Sequence, residues 1–333
     1  MTHKYVLAAI KKKDVDKFFQ LVDLPGYDVN TSAKGVTPLI VAAKAGLCVV
    51  TEKLVSMGAD LNMRDSDGRT ALLHGCLNGN SDVVRQLLYA GSDTNNCTVN
   101  GDFALHESIT SGDTDTVQTL LEAGTDVNKS NCISGYTPLM LALLNGFGDI
   151  VRLLLRYNAN LNQSIMEGDT ALHLAVQVAP PDVIADLILA GCNMDILNNM
   201  GETPLIVSVY EGRIDAARLL ILSGCCIDKY DYFSPLCVAC VQNNAIMVRY
   251  LLSEGYNVSK DNSVKQNLFF KFEDNYPELF SFIFEERCVK PMSLREIARV
   301  RVRRLLGPDV AGRILHLSLP GILKEWVVQD VIY

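Results

Sequence analysis

A six-residue phrase returns along this chain at nearly constant spacing. Gly35-Val-Thr-Pro-Leu-Ile is followed by Gly68-Arg-Thr-Ala-Leu-Leu, Gly101-Asp-Phe-Ala-Leu-His, Gly135-Tyr-Thr-Pro-Leu-Met, Gly168-Asp-Thr-Ala-Leu-His and Gly201-Glu-Thr-Pro-Leu-Ile, at intervals of 33, 33, 34, 33 and 33 residues. A seventh copy, Tyr232-Phe-Ser-Pro-Leu-Cys, comes 31 residues later and lacks the glycine. A second pattern follows the first, as in Asp82-Val-Val-Arg-Gln-Leu-Leu, Asp149-Ile-Val-Arg-Leu-Leu-Leu and Asp215-Ala-Ala-Arg-Leu-Leu-Ile. Such a period demands one small unit stacked on copies of itself. The 333 residues allow two or three ordinary domains, but the repeat assigns roughly 290 of them to one elongated stack.

The period and the Thr-Pro-Leu-His-x-Ala pattern resemble the ankyrin repeat, over about residues 35–259. The residues account for the pattern physically. Thr followed by Pro starts a helix, the hydroxyl capping it and Pro taking the first turn. Leu39 and Ala42 face the stack, and Ala is small so that helices approach closely. The second helix buries Val and Leu at three-and-four spacing. It ends at Gly58, Gly91, Gly124 or Gly191, suited to a left-handed cap. The following Asp-x-Asn opens a turn toward the next copy. Residues 1–34 read as a worn capping repeat, with Lys11, Lys12 and Lys13 toward water. Residues 35–259 read as seven repeats and 260–288 as a degenerate closing cap with seven aromatics in 269–284. The fold class expected is all-α: a solenoid of helix pairs with short β-turn tips and a small helical module after it.

Catalytic chemistry has no constellation to work from. His106 and His173 occupy the His slot and His74 lies one residue past it, which suits hydrogen bonding between adjacent turns. Cys237-Val-Ala-Cys240 has a metal-like spacing, but the two cysteines take the places of Ile40 and Ala43, so they read as small buried residues. No Walker lysine, Gly-x-Ser-x-Gly or His-Glu-x-x-His is present. The expectation is a non-enzyme with no cofactor and no metal.

Net charge is -8, which gives no overall footprint for nucleic acid. The charge-free stretch Ser130–Gly148 holds Gly, Pro and Asn and is no membrane span. The first residues lack the apolar length of a signal peptide, so ten cysteines read as reduced cytosolic thiols. Localisation is expected to be cytoplasmic, with the nucleus as the alternative. Asn-x-Ser/Thr sequons at Asn30, Asn96, Asn128, Asn162 and Asn257 fall, except the last, where turns favour Asn.

Partner specificity is expected at the variable turn tips. The candidates are Arg64, Arg69, Phe103, Tyr136, Met166, Met200, Tyr230, Tyr232 and Phe233, with Lys34, Asp102 and Glu202 beside them. The cluster Tyr230, Tyr232 and Phe233 suits an interface anchor. The alternative is that some of these rings pack on the neighbouring turn.

From Lys290 to Arg313 seven basic and two acidic residues give a local +5. A nuclear signal is one reading, but the charges interleave with the apolar stripe Leu294, Ile297, Ala298, Val302, Leu305 and Leu306, interrupted by Arg301. Such a short segment needs a partner to cover that face. Ser293-Leu-Arg-Glu-Ile-Ala through Leu323-Lys-Glu-Trp326 resembles a SOCS box, so the chain resembles the ankyrin repeat and SOCS box family. The resemblance implies that residues 291–333 dock elongins B and C and a cullin with its RING protein. It places Leu294, Ile297, Ala298, Val302, Leu305 and Leu306 against elongin, with Ala298 where a cysteine is usual. It places Leu317, Ser318, Leu319 and Pro320 against the cullin, with Ser318 replacing the element's first proline. The implied function is substrate recognition for a ubiquitin ligase, with an unknown target protein. The alternative is an ankyrin scaffold or inhibitory binding protein without ligase docking.

Overall fold

A computed structural model of the chain describes residues 2–256 except Lys34, Tyr232 and Asn243. The expected cap at 260–288 and the segment 291–333, with every residue assigned to elongin or cullin, lie outside the described residues. The described residues hold sixteen helices and no strands, so the chain is all-α there. They fall into two compact units, one ending at Asn160 and one beginning at Leu161.

The first unit contains five helix pairs: α1 (Thr2–Lys11) with α2 (Val15–Val22), α3 (Pro38–Ala45) with α4 (Cys48–Ser56), α5 (Ala71–Leu77) with α6 (Ser81–Tyr89), α7 (Ala104–Ser111) with α8 (Thr114–Glu122), and α9 (Pro138–Leu144) with α10 (Gly148–Arg156). First helices stack on first helices and, from α4 onward, second on second. The second unit holds the pairs α11 (Ala171–Val178) and α12 (Pro181–Leu189), α13 (Pro204–Tyr210) and α14 (Ile214–Leu222), and α15 (Pro235–Val241) and α16 (Ala245–Ser253), with α11 on α13, α13 on α15 and α12 on α14. Isolated bridges Ala33–Val36 and Ser164–Thr170 close two of the turn tips.

Five of the first helices have the cap the repeat implies. Thr37, Thr70, Thr137, Thr203 and Ser234 accept a hydrogen bond from the backbone three residues on, capping α3, α5, α9, α13 and α15. The fifth residue of each first helix from α3 onward is Ala42, Gly75, Ser108, Ala142, Ala175, Ser208 or Ala239, all buried. Small side chains here let neighbouring helices close up. The hydroxyls of Ser108 and Ser208 are satisfied by Leu105 O and Leu205 O. Leu39 and Ala42 face the stack, and Lys11, Lys12 and Lys13 face water.

Neighbouring repeats are joined by backbone groups as well as by apolar packing. Val99 N–H donates to Asp67 O, Cys132 to Gly101 O, Asn199 to Glu167 O and Asp231 to Gly201 O, at 3.0 to 3.2 Å. The Oδ1 atoms of Asn30, Asn62, Asn128 and Asn162 accept from the backbone of the next repeat, at Asp60, Asp93, Asn160 and Asn193. Three of those asparagines belong to sequons, and their side chains are explained by stacking.

Close approach makes several glycine positions severe, Gly35 and Gly168 at the tips among them. Gly168 has φ +85°, and a Cβ there would lie 2.7 Å from Asn199 N. Gly191 has φ +89° with nothing within 4 Å. Gly191→Ala is expected to cost about 1 kcal/mol of stability, the left-handed penalty alone. Gly168→Ala adds a backbone clash and is expected to cost about 2 to 3 kcal/mol. Thermal melts of the two variants check this; equal shifts would contradict the tip-to-tip contact.

Candidate protein-interaction surface

The tips of the first unit are tied together by ionic and polar contacts. Arg69 reaches from its own tip to Glu107 on α7, with Nε and Nη2 donating to Oε1 at 3.2 and 2.9 Å. Glu107 is 3% exposed. Burial raises its pKa, and Arg69 opposes part of that rise. His74 Nε2 lies 2.7 Å from Asp65 Oδ2. Burial acts to raise the pKa of Asp65, but His74 and the backbone N–H groups of Arg69 and Asp67 outweigh it and hold the carboxyl below its usual range. His74 therefore bonds within its own repeat, unlike the bond between adjacent turns expected for it.

His106 and His173 do bridge turns. The Phe103 N–H donates to His106 Nδ1 at 3.4 Å, leaving Nε2–H to donate to Tyr136 O at 3.0 Å. His173 Nδ1 accepts from the N–H and hydroxyl of Thr170, and Nε2–H donates to Glu202 O at 3.1 Å. Burial lowers both pKa values, so both rings are neutral. A neutral ring with one donor and one acceptor satisfies both turns, which is why histidine suits the slot.

The tip candidates separate by exposure. Met166 and Met200 stand well out at 76% and 71%, and Phe233 at 57%. Arg64 is exposed, with Nε donating to Gly68 O at 2.9 Å. Tyr136 and Tyr230 are half-buried. Tyr232 and Lys34 lie outside the described residues, so the aromatic cluster is seen through two of its three members. Phe103 is 7% exposed, with Lys129 Nζ 4.0 Å from its ring centroid. It follows the packing alternative, and a buried ring of this kind offers a partner little. Arg69 is likewise occupied by Glu107.

Sequence reasoning missed the last turns of the first helices. Val178, Tyr210 and Val241 are more than half exposed on α11, α13 and α15. Leu144, at the end of α9 in the first unit, is 40% exposed as well. Tyr89 on α6 and Leu189 on α12 are also exposed, on second helices.

Among the described residues no group of three His, Cys, Asp or Glu is placed to hold a metal ion. Cys237 and Cys240 are buried, as the repeat alignment implies. Burial pushes the thiols of Cys76 and Cys225 up, and that of Cys192 up to about 12, so they are poor nucleophiles. No described helix is long and apolar enough to cross a membrane.

These helix pairs, capped tips and exposed first-helix ends define a repeat scaffold that binds through its surface. The family model for ankyrin repeats (3 copies) matches residues 6–98, 76–165, 105–188 and 172–262, so the chain belongs to the ankyrin-repeat family. Ankyrin repeats as a class are non-catalytic scaffolds for protein–protein interaction, and no catalytic family matches. Two solved structures resemble it. The ankyrin repeat domain of Bcl-3, a member of the IkappaB protein family, is 29% identical with a TM-score of 0.56, covering 61% of this chain and 92% of its own. The ankyrin repeat domain of human ASB11 is 24% identical with a TM-score of 0.54, covering 61% and 91%. Since 587 chains of solved structures match, likeness of fold alone does not single out a partner. No curated protein sequence matches.

Proposed function

We propose that the chain is the substrate-recognition subunit of an elongin/cullin-RING ubiquitin ligase. The ankyrin array, residues 35–259 with caps at 1–34 and 260–288, holds a target protein. Residues 291–333 dock elongins B and C and a cullin. The observation that carries this reading is the order of two sequence elements behind the repeats: Ser293 to Gly307, with Leu294 as the elongin plug, and then Leu317 to Pro320 for the cullin. The likeness to the ASB11 ankyrin repeat domain supports the array half of the reading as a matter of fold. The chain does no chemistry itself; it raises the local concentration of target lysines near a charged conjugating enzyme. The reading places it in the cytoplasm, with the nucleus as the alternative.

A second reading, a scaffold or inhibitory binding protein without ligase docking, is favoured by Ala298 and Ser318, the two departures from the docking pattern. The likeness to Bcl-3 also sits with it. Ala298 removes volume from an apolar contact, a loss of about 1–2 kcal/mol of elongin binding.

Co-expression with elongins B and C separates the readings. The full chain is expected to retain both elongins through purification, and Leu294→Asp to lose them. Wild type that retains neither elongin sinks the ligase reading and leaves the scaffold.

A further inference from the structure

In the first unit α3 packs against both α1 and α5, and residues of the three repeats line a common groove of about 380 Å³. Its apolar lining is the half-buried Val36 and Ala45 with the buried Ile40 and Val41. Its cations are Lys11, on the last turn of α1, and Lys44, on the last turn of α3, both exposed. Neither lysine makes an ion pair among the described residues. Asp65 and His74 complete the lining but are committed to each other. His74 Nε2 lies 2.7 Å from Asp65 Oδ2, and Asp65 Oδ1 accepts from the backbone N–H groups of Asp67 and Arg69. The side chains of Asp65 and His74 are 9% and 8% exposed, so the two lysines are the charges that meet an occupant.

Size and charge select what fits. Ligand sites run from roughly 300 to 1,000 Å³, so a groove at the low end takes one or two side chains and not a folded element. Its apolar lining favours an aliphatic side chain. Two uncommitted ammonium groups beside that lining favour carboxylates next to the seated side chain. The surroundings carry the same sign. Residues 1–45 hold seven Lys against four Asp, a net charge of +3 within a chain of net charge -8. Lys12 and Lys13, also exposed, follow Lys11 directly. The field at this end of the array therefore draws in acidic rather than basic partners.

We propose that this groove holds an acidic segment of a partner protein, seating one aliphatic side chain on Val36, Ile40, Val41 and Ala45 while Lys11 and Lys44 hold Asp or Glu residues flanking it. This rests on target capture by the array and names the target's chemistry.

Fluorescence anisotropy with the purified full chain tests it. The probe is a labelled peptide, Asp-Glu-Leu-Asp-Glu. One comparison replaces its leucine by serine; another keeps the leucine and replaces the acidic residues by Lys and Arg. The probe is expected to bind about tenfold more tightly than the serine peptide, and the basic peptide not at all. Lys11→Glu and Lys44→Glu, at exposed positions and with folding verified by circular dichroism, are each expected to weaken binding about tenfold. Lys17→Glu makes the same charge change on α2, at an exposed residue that does not line the groove, and is expected to leave binding unchanged. Equal binding of the serine or the basic peptide, groove variants that bind like wild type, a Lys17→Glu variant weakened as much as they are, or no binding of the probe overturns the proposal. Elongin retention is read separately, so absence of peptide binding with elongins retained removes this partner chemistry and not the ligase reading.

Discussion

Arg69→Met is expected to destabilise the protein by about 3 kcal/mol, because it strands a buried carboxylate. Glu107 is 3% exposed, and both of its ionic contacts to Arg69 run through Oε1. Arg69 is mostly covered, at 20% side-chain exposure, so solvent screening of the pair is limited. The comparison is Arg152 with Asp149, whose side chains are 39% and 88% exposed. An exposed pair of that kind contributes about 0–1 kcal/mol, so Arg152→Met is expected to change little. Adding Glu107→Leu to Arg69→Met removes the stranded charge and is expected to recover most of the loss. The pH dependence has a definite sign. Burial raises the Glu107 pKa, so the folded state binds more protons than the unfolded chain between the ordinary and raised values. Stability from this group then falls as pH rises. Losing Arg69 pushes the pKa further up, so the deficit of Arg69→Met relative to wild type is expected to shrink on acidification. Thermal denaturation across pH measures both. A deficit like that of Arg152→Met, or one that grows toward acid, contradicts the stranded-charge account.

His173→Ala is expected to cost a similar amount, about 3 kcal/mol, by a different route. The ring is 0% exposed, and its removal leaves the Thr170 N–H and the Glu202 carbonyl without their partner and opens a void. His173→Gln keeps an acceptor and a donor and is expected to cost about half as much. Here the pH sign reverses. Burial lowers the His173 pKa below its ordinary 6.5, so the folded state binds fewer protons than the unfolded chain. Its contribution is fully present above 6.5 and is lost as pH falls toward the folded value. His106 is buried in the same way and adds to the effect. The double variant His106→Gln/His173→Gln is expected to be less stable at neutral pH and to lose less on acidification than wild type. Melting temperatures of the two proteins across the acid limb decide it; parallel curves would mean that neither ring stays neutral in the folded protein.

Much of this architecture was legible in the residues. The Thr-Pro phrase announced capped helices, and Thr37, Thr137 and Thr203 do cap. The histidine slot announced bonds between turns, and His106 and His173 make them. His74, displaced by one residue, points to a different side of its helix and finds Asp65 instead. The tip surface was less legible. Phe103 breaks the pattern in the sequence as an anchor would, yet Lys129 from the next turn covers it. Arg69 reads as a free cation until Glu107, 38 residues on, is seen beneath it.

Taken alone, the amino-acid sequence determined the helix pairs, their caps, the small residues between them and the turn asparagines. A repeat presents the same neighbours to the same slot every period, so each slot's residue type already states its contacts. Only the tertiary structure decided which variable side chains meet water. That depends on what the adjacent repeat sets against each one: a lysine over Phe103, a carboxylate under Arg69, and nothing over Tyr210 and Val241 among the described residues.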